Sequence, residues 1–348
     1  MRKINTVNGV VEVSELGIVA PHEHIFIDLS NQYPGDKNIP GIDGDNDKVD
    51  IKNIGLLRRN CYYLRDNTII DNVETAVYET LFFKQAGGST IVDLTLPGIN
   101  RDVKKLKEVS DATGLNIITG TGLYTDDTIP EPFRQMGVNE LAEHFINEIT
   151  VGIDSTGIKA GVIGEIGTSD VIMPDEEKSL RAAAIASKET GLPIYVHIYP
   201  WSANGEKVLD IIEPYGVATS SVCICHVDVK FDYDYMVRLL KRGAYIEFDN
   251  FGKEFYIIAE PGDFAGGAFA TDIERVRMLM RLCELGFEKN ILLANDVPLK
   301  VLLRSYGGWG YDHVHSNIVP VLSCEGLDDG IIKVLIEENP VRFLENAQ

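Results

Sequence analysis

The sequence predicts an α/β chain folded as one (β/α)8 TIM barrel, a single domain over residues 1–348. Short apolar, β-branched runs alternate with stretches of helical period along most of the chain, the pattern of βα units around a parallel sheet. Eight such runs can be read, the strand number of a closed barrel. The runs are apolar nearly throughout, as strands buried on both faces must be.

In chain order the expected strands are 17–21 (GIVAP), 89–96 (STIVDLTL), 115–120 (LNIITG), 160–166 (AGVIGEI), 193–198 (PIYVHI), 221–226 (SVCICH), 243–248 (GAYIEF) and 290–295 (NILLAN). Helical stretches fall between them at 69–86, 101–113, 138–150, 175–190, 232–242 and 271–286, with a last one at 328–345. The stretch 175–190 opens with acidic residues, which suit a helix N-terminus, and stops at Gly191. Three regions depart from the alternation. Asn8-Gly9 between apolar runs predicts a short N-terminal hairpin within residues 1–16. Residues 30–68 form a long polar insertion after strand 1, and 249–270 a Gly-rich loop after strand 7. Loops of this length in a compact domain tend to line binding sites or cover them. Asp43, Asp45 and Asp47 resemble the start of a calcium loop, but Lys48 and Ile54 stand where its Gly and Glu belong.

The formal net charge is -21, which disfavours nucleic acid or an anionic membrane as partner. No apolar run approaches the ~20 residues that cross a bilayer, and MRKINTVNGVVEV has no apolar core of a signal peptide. The five cysteines have no framework spacing, so reduced thiols and a cytoplasmic home are expected. Cys223 and Cys225 share one strand face in an apolar run and read as core.

The chemistry lies at the strand ends. His22 and His24 follow the first apolar run at an i, i+2 spacing that turns both imidazoles to one side. Glu165 sits in strand 4, His197 ends strand 5, His226 ends strand 6 and Asp296 follows strand 8. A closed barrel brings strand 8 beside strand 1, and its reactive groups gather at the C-terminal ends of the strands. Four imidazoles and two carboxylates there make a nitrogen and oxygen site suited to Zn, Mn, Co or Fe. His144 reads as an exposed helix residue, while His313 and His315, in the loop after strand 8, are expected near substrate.

The stretches APHEHIFIDLS, AGVIGEIGTS, PIYVHI, CICHVD, GAYIEFDNFGK, LLAND and ENPVRFL resemble the phosphotriesterase-like branch of the amidohydrolase superfamily, in family order along nearly the whole chain. The resemblance implies two divalent metal ions, the first on His22, His24 and Asp296 and the second on His197 and His226. It implies Glu165 as their bridge, as in the glutamate-bridged members, since no lysine lies between Gly161 and Asp170. Cys225 departs from the family, which usually has glycine before that histidine. Zinc is the first expectation.

Attack by a metal-bridging hydroxide, with Asp296 shuttling the proton to the leaving group, then follows from the charge placement. Lactones, organophosphate triesters and small amides or esters are all compatible with the family. The polar loops, with Lys253 and Arg275 as a cationic clamp, point to a lactonase acting on a sugar lactone, plain or phosphorylated, and the resemblance implies Tyr124, where related lactonases place a tyrosine, to orient its carbonyl. A non-catalytic metal-binding barrel and a nuclease are the readings from other classes. A homodimer is compatible with the hairpin and long loops.

Overall fold

The computed structural model describes residues 2–258 and 266–345. Part of the expected loop after strand 7, residues 259–265, lies outside the described residues.

Eight strands form one sheet, all of its pairings parallel: Ile18–Glu23, Gly88–Asp93, Asn116–Thr121, Val162–Thr168, Ile194–Ile198, Val222–Ile224, Tyr245–Phe248 and Ile291–Leu293. Each coincides with an expected run to within a few residues. The two ends of this row meet around Glu23. Its carboxylate accepts from Asn295 N (3.2 Å), Asn295 Nδ2 (2.8 Å) and Val297 N (3.0 Å), and Asp296 N donates to the carbonyl of His22 at 3.3 Å. The sheet thereby curls into a barrel, with helices packed outside it.

The helices start and stop where the side chains dictate. Asp102 accepts from Lys104 N and Lys105 N at the head of Val103–Thr113, and Gly114 ends it with φ 68. Pro174 opens Pro174–Thr190, where its missing N–H costs nothing. Glu176 reaches back to Met173 N at 2.8 Å, and Gly191 closes the helix with φ 72. The final helical stretch runs from Asp329 to Glu345 with a widened π turn at Val334–Glu338, just before Pro340, which has no N–H to donate. The helix Gly205–Ile212 was not expected from sequence. It is short and opens on a glycine, a residue that weakens a helical reading, and Tyr235 Oη takes its first N–H at 2.8 Å.

Inside the barrel, below the histidines, Val19, Val92, Ile118, Val162, Cys223 and Leu292 pack together. Cys223 and Cys225 belong to this core, as expected. Phe343 of the last helix seals the floor, edge-on to Tyr195 (ring centroids 5.0 Å apart) and against Tyr245 (4.8 Å). The hairpin Lys3–Thr6 with Gly9–Glu12 lies at the same end, with Asn5 Nδ2 donating to Ala160 O at 2.8 Å and Val7 N to Ile117 O at 2.9 Å.

The insertion is bolted to the barrel. Asp66 takes Lys48 Nζ (2.9 Å), Lys300 Nζ (2.7 Å) and Val49 N (3.0 Å), and Asn67 accepts from Val301 N at 2.8 Å. Asp43 Oδ1 accepts from Asp45 N and Asn46 N, so it caps its own turn.

Candidate metal centre

The six expected residues converge at the C-terminal mouth of the barrel, all buried. Glu165 stands between two imidazole pairs. Its Oε2 lies 3.6 Å from His22 Nε2 and 3.8 Å from His24 Nε2. Its Oε1 lies 2.6 Å from His226 Nε2 and 3.3 Å from His197 Nδ1. Asp296 Oδ1 is 3.2 Å from His24 Nε2 and 3.7 Å from His22 Nε2. Two triads result, His22 with His24 and Glu165, and His197 with His226 and Glu165, each with ligand atoms mutually within 4.8 Å. His226 and Asp296 sit at φ 60 and φ 45, left-handed backbone that a non-glycine residue adopts at a cost. Both follow a strand end where the chain turns sharply to aim a side chain inward.

Three of the four imidazoles are oriented from behind, while His197 turns Nδ1 toward Glu165. His22 Nδ1 lies 2.9 Å from Glu247 Oε2, His24 Nδ1 2.9 Å from Thr95 Oγ1, and His226 Nδ1 3.0 Å from Asp249 Oδ1. An acceptor at Nδ1 holds the proton there and leaves Nε2 free to bind a cation. His22 Nε2 is buried without a hydrogen-bond partner among the described residues, an orphan atom that a cation would satisfy.

The electrostatics agree. Burial opposes a charge on His226, yet Asp249 and Glu165 raise its pKa to about 10. His22 is likewise raised well above the usual histidine value, against burial, by Glu165, Glu247 and Asp296. Burial opposes ionisation of Glu165 and Asp296 too, but His22 and His226 hold Glu165 far below the carboxylate range, while Lys253 and His22 do so for Asp296. The site is a knot of negative charge that draws positive charge to itself.

Above it opens a pocket holding about 610 Å³ of empty space, its open mouth included. Its walls include Ile27, Leu29, Ile99, Phe255 and Leu299, with polar groups on Gln32, Tyr62, Tyr124, Asn250 and Lys253. Lys253 is the one Lys or Arg among the described residues lining it. Its ammonium bonds Asn250 Oδ1 at 3.1 Å and contacts Asp296 directly. Tyr124 Oη stands 3.2 Å from His197 Nδ1.

Arg275 stands elsewhere. It is fully buried behind the wall, on Asp228 (3.0 Å), Asp272 (3.1 Å) and Lys253 O (3.2 Å), and does not line the cavity. With both carboxylates already on its guanidinium, it cannot clamp a substrate phosphate. His313 is held by Asp272 at 2.8 Å, and His315 packs on the Phe83 ring at 5.3 Å; neither lines the cavity. His144 is half-buried, 3.5 Å from Glu148, and not on a free helix face.

Sequence reasoning missed Glu247, Asp249 and Thr95 behind the imidazoles, and Tyr62 and Gln32, which the insertion brings to the cavity. Glu247 and Asp249 did carry a signal. They repeat at strand 7 the i, i+2 pattern of His22 and His24.

Comparison with known proteins agrees with this geometry. The profile of the Phosphotriesterase family matches residues 2–344. The N-acetyltaurine hydrolase of Xenopus tropicalis is 34% identical over 346 residues, covering 98% of this chain and 97% of that protein. A crystal structure of a resiniferatoxin-binding protein from Rhodobacter sphaeroides superposes with a TM-score of 0.94 at 33% identity, over 99% of this chain and 96% of that one. A lactonase from Listeria monocytogenes shares the fold, with a TM-score of 0.79 at 24% identity over 100% of both chains. In histidine pattern, barrel architecture and full-length similarity alike, this chain belongs to the phosphotriesterase family and is a metal-dependent hydrolase.

Proposed function

We propose that this chain binds two divalent cations, zinc first among them, and hydrolyses the amide of a small acyl group carried on a compact anion, the class to which N-acetyltaurine belongs. The observation that carries this reading is the pairing of a largely apolar cavity with Lys253, the one Lys or Arg lining it among the described residues, beside the cluster. The similarity to N-acetyltaurine hydrolases over 98% of the chain supports it. His22, His24 and Asp296 would hold one ion, His197 and His226 the other, with Glu165 between them.

When bound, such ions supply a water acidified toward neutral pH and a Lewis acid for the acyl oxygen. The chain's own groups do the rest. Asp296 takes a proton from the nucleophile and returns it to the leaving nitrogen. Lys253, steered by Asn250 Oδ1, offers its ammonium to the anionic end. The apolar walls exclude bulk water and seat the acyl group, and the Tyr124 hydroxyl lies beside His197, within reach of an acyl oxygen.

A lactone is the second reading, favoured by that placement of Tyr124 within the cavity. A doubly charged phosphate on it is disfavoured, because Arg275 is engaged elsewhere. The test is turnover by metal-supplemented enzyme of N-acetyltaurine, simple and phosphorylated sugar lactones, and paraoxon. N-acetyltaurine should lead, and Lys253→Ala should raise its KM by about tenfold, the loss of one charge-assisted contact. Turnover of lactones with N-acetyltaurine silent would transfer the function to the second reading. Turnover of paraoxon alone would refute both.

A further inference from the structure

Behind the cavity wall lies a buried charge cluster that takes part neither in the cation site nor in the proposed substrate contacts. We infer that Arg275, with Asp228, Asp272 and His313, is a positioning network that sets where Lys253 stands in the cavity. The inference rests on the reading of Lys253 as the anchor for an anionic substrate.

The network grips the turn 250–253 through its backbone. Asp228 accepts from Asn250 N at 3.0 Å and from Asn250 Nδ2 at 2.6 Å. Asp272 accepts from Gly252 N at 2.9 Å. Arg275 Nη2 donates to Lys253 O at 3.2 Å, while its Nε and Nη1 tie Asp228 and Asp272 into one unit. His313 braces Asp272 from outside, with Trp309 stacked on its ring at 4.9 Å. Gly252 has φ 86, and a side chain there would meet Trp309 and His313 at 3.2 and 3.3 Å, so the turn packs closely beneath those rings. Its path delivers the Lys253 ammonium to Asn250 Oδ1 and Asp296, and aims Asn250 Nδ2 at Asp249, 2.6 Å away.

Stability alone does not account for such a cluster. Desolvating an arginine and two carboxylates consumes most of what their attraction returns, and apolar packing of equal volume does as well or better. What charges add is direction. Each hydrogen bond fixes one atom of a turn whose fourth residue reaches the reacting groups.

The test compares Arg275→Lys, Lys253→Ala and the double variant, each metal-loaded, on N-acetyltaurine and its neutral analogue N-(2-methylsulfonylethyl)acetamide. Lysine keeps the charge at 275, but its three donors sit on one nitrogen and cannot span acceptors that the guanidinium reaches from Nε, Nη1 and Nη2. Because the Lys253 ammonium also touches Asp296, both substrates can slow in Arg275→Lys, but the ratio of kcat/KM for N-acetyltaurine to that for the neutral substrate should fall by about tenfold. In the Lys253→Ala background the same change should add nothing. Equal losses on both substrates, or a further fall of the ratio on top of Lys253→Ala, would overturn the inference. If Arg275→Lys does not fold, Asp272→Asn, which loosens the grip on Gly252 N, carries the same comparison and should shift the same ratio less. If Lys253→Ala itself leaves the ratio unchanged, the anchor reading fails and the network inference falls with it. That outcome is distinct from one in which Lys253→Ala acts and Arg275→Lys does not.

Discussion

Replacing Asp249 by asparagine should weaken metal binding while leaving all six proposed ligands in place. The Asp249 carboxylate accepts three N–H groups: His226 N at 2.9 Å, His226 Nδ1 at 3.0 Å and Asn250 Nδ2 at 2.6 Å. An asparagine has one acceptor oxygen. If that oxygen replaces Oδ1, the amide NH2 faces the backbone N–H of His226; if it is flipped, the NH2 faces Nδ1–H. Either way at least one buried donor loses its partner, at about 1–3 kcal/mol. With Nδ1 no longer held, the proton can move to Nε2, the atom aimed at Glu165. Outer partners of this kind are worth about 10–100-fold in metal affinity, or about 1.4–2.7 kcal/mol. The measurement is metal content against buffered free zinc. Half-loading should move to higher free zinc by that factor, and turnover at saturating zinc should fall less. A loading curve that superimposes on the wild type would refute the role given to Asp249.

Stripping the metal with a chelator should abolish turnover and lower Tm, with both restored by divalent ions; ligand present at a hundred times its Kd is worth about 2.7 kcal/mol, and an unchanged Tm would remove the cation site. His315→Leu should reduce acid sensitivity. Burial lowers the His315 pKa to about 4, with Asp312 opposing, so the fold keeps it neutral while the unfolded chain takes a proton below about 6.5. Stability is therefore lost as pH falls from about 6.5 to about 4, by up to about 3 kcal/mol, and urea melts at pH 7 and 4.5 should show the variant losing less. Gly120→Ala would put a Cβ 2.0 Å from Gly164 O, a clash with rigid backbone next to Glu165; it should cost about 1–3 kcal/mol, with lowered metal content, and unchanged melting would refute the tight approach.

The strands were legible because parallel strands buried on both faces must be apolar, and a polar residue at the end of such a run stands out. His22, His24, Glu165, His197, His226 and Asp296 stand out as candidate ligands on that contrast. Glu247 and Asp249 were missed although they carry it as well, because acids at strand ends are common on surfaces. Thr95 had no signal; a hydroxyl behind an imidazole looks like any threonine. Arg275 was misassigned for want of one step. Arg275, Val276, Leu279, Leu282 and Cys283 form the buried face of their helix, so the helical period already turned the arginine toward the interior. Which wall of the cavity a loop residue joins, as for Tyr62 and Gln32, depends on how the insertion is bolted down through Asp66 and Asn67, and no local pattern encodes that.

The closure of the sheet between His22 and Asp296 has a consequence for the order of events during synthesis. The histidines of the first strand leave the ribosome more than two hundred residues ahead of the aspartate that completes their site. Phe343, which seals the floor beneath Tyr195 and Tyr245, follows later still. Until the eighth strand, Ile291–Leu293, has been made, the first strand lacks the partner that closes the row beside it. A complete centre can therefore be loaded only after Asp296 has been made, and an ion met earlier would have only a partial ligand set, from which it could still escape.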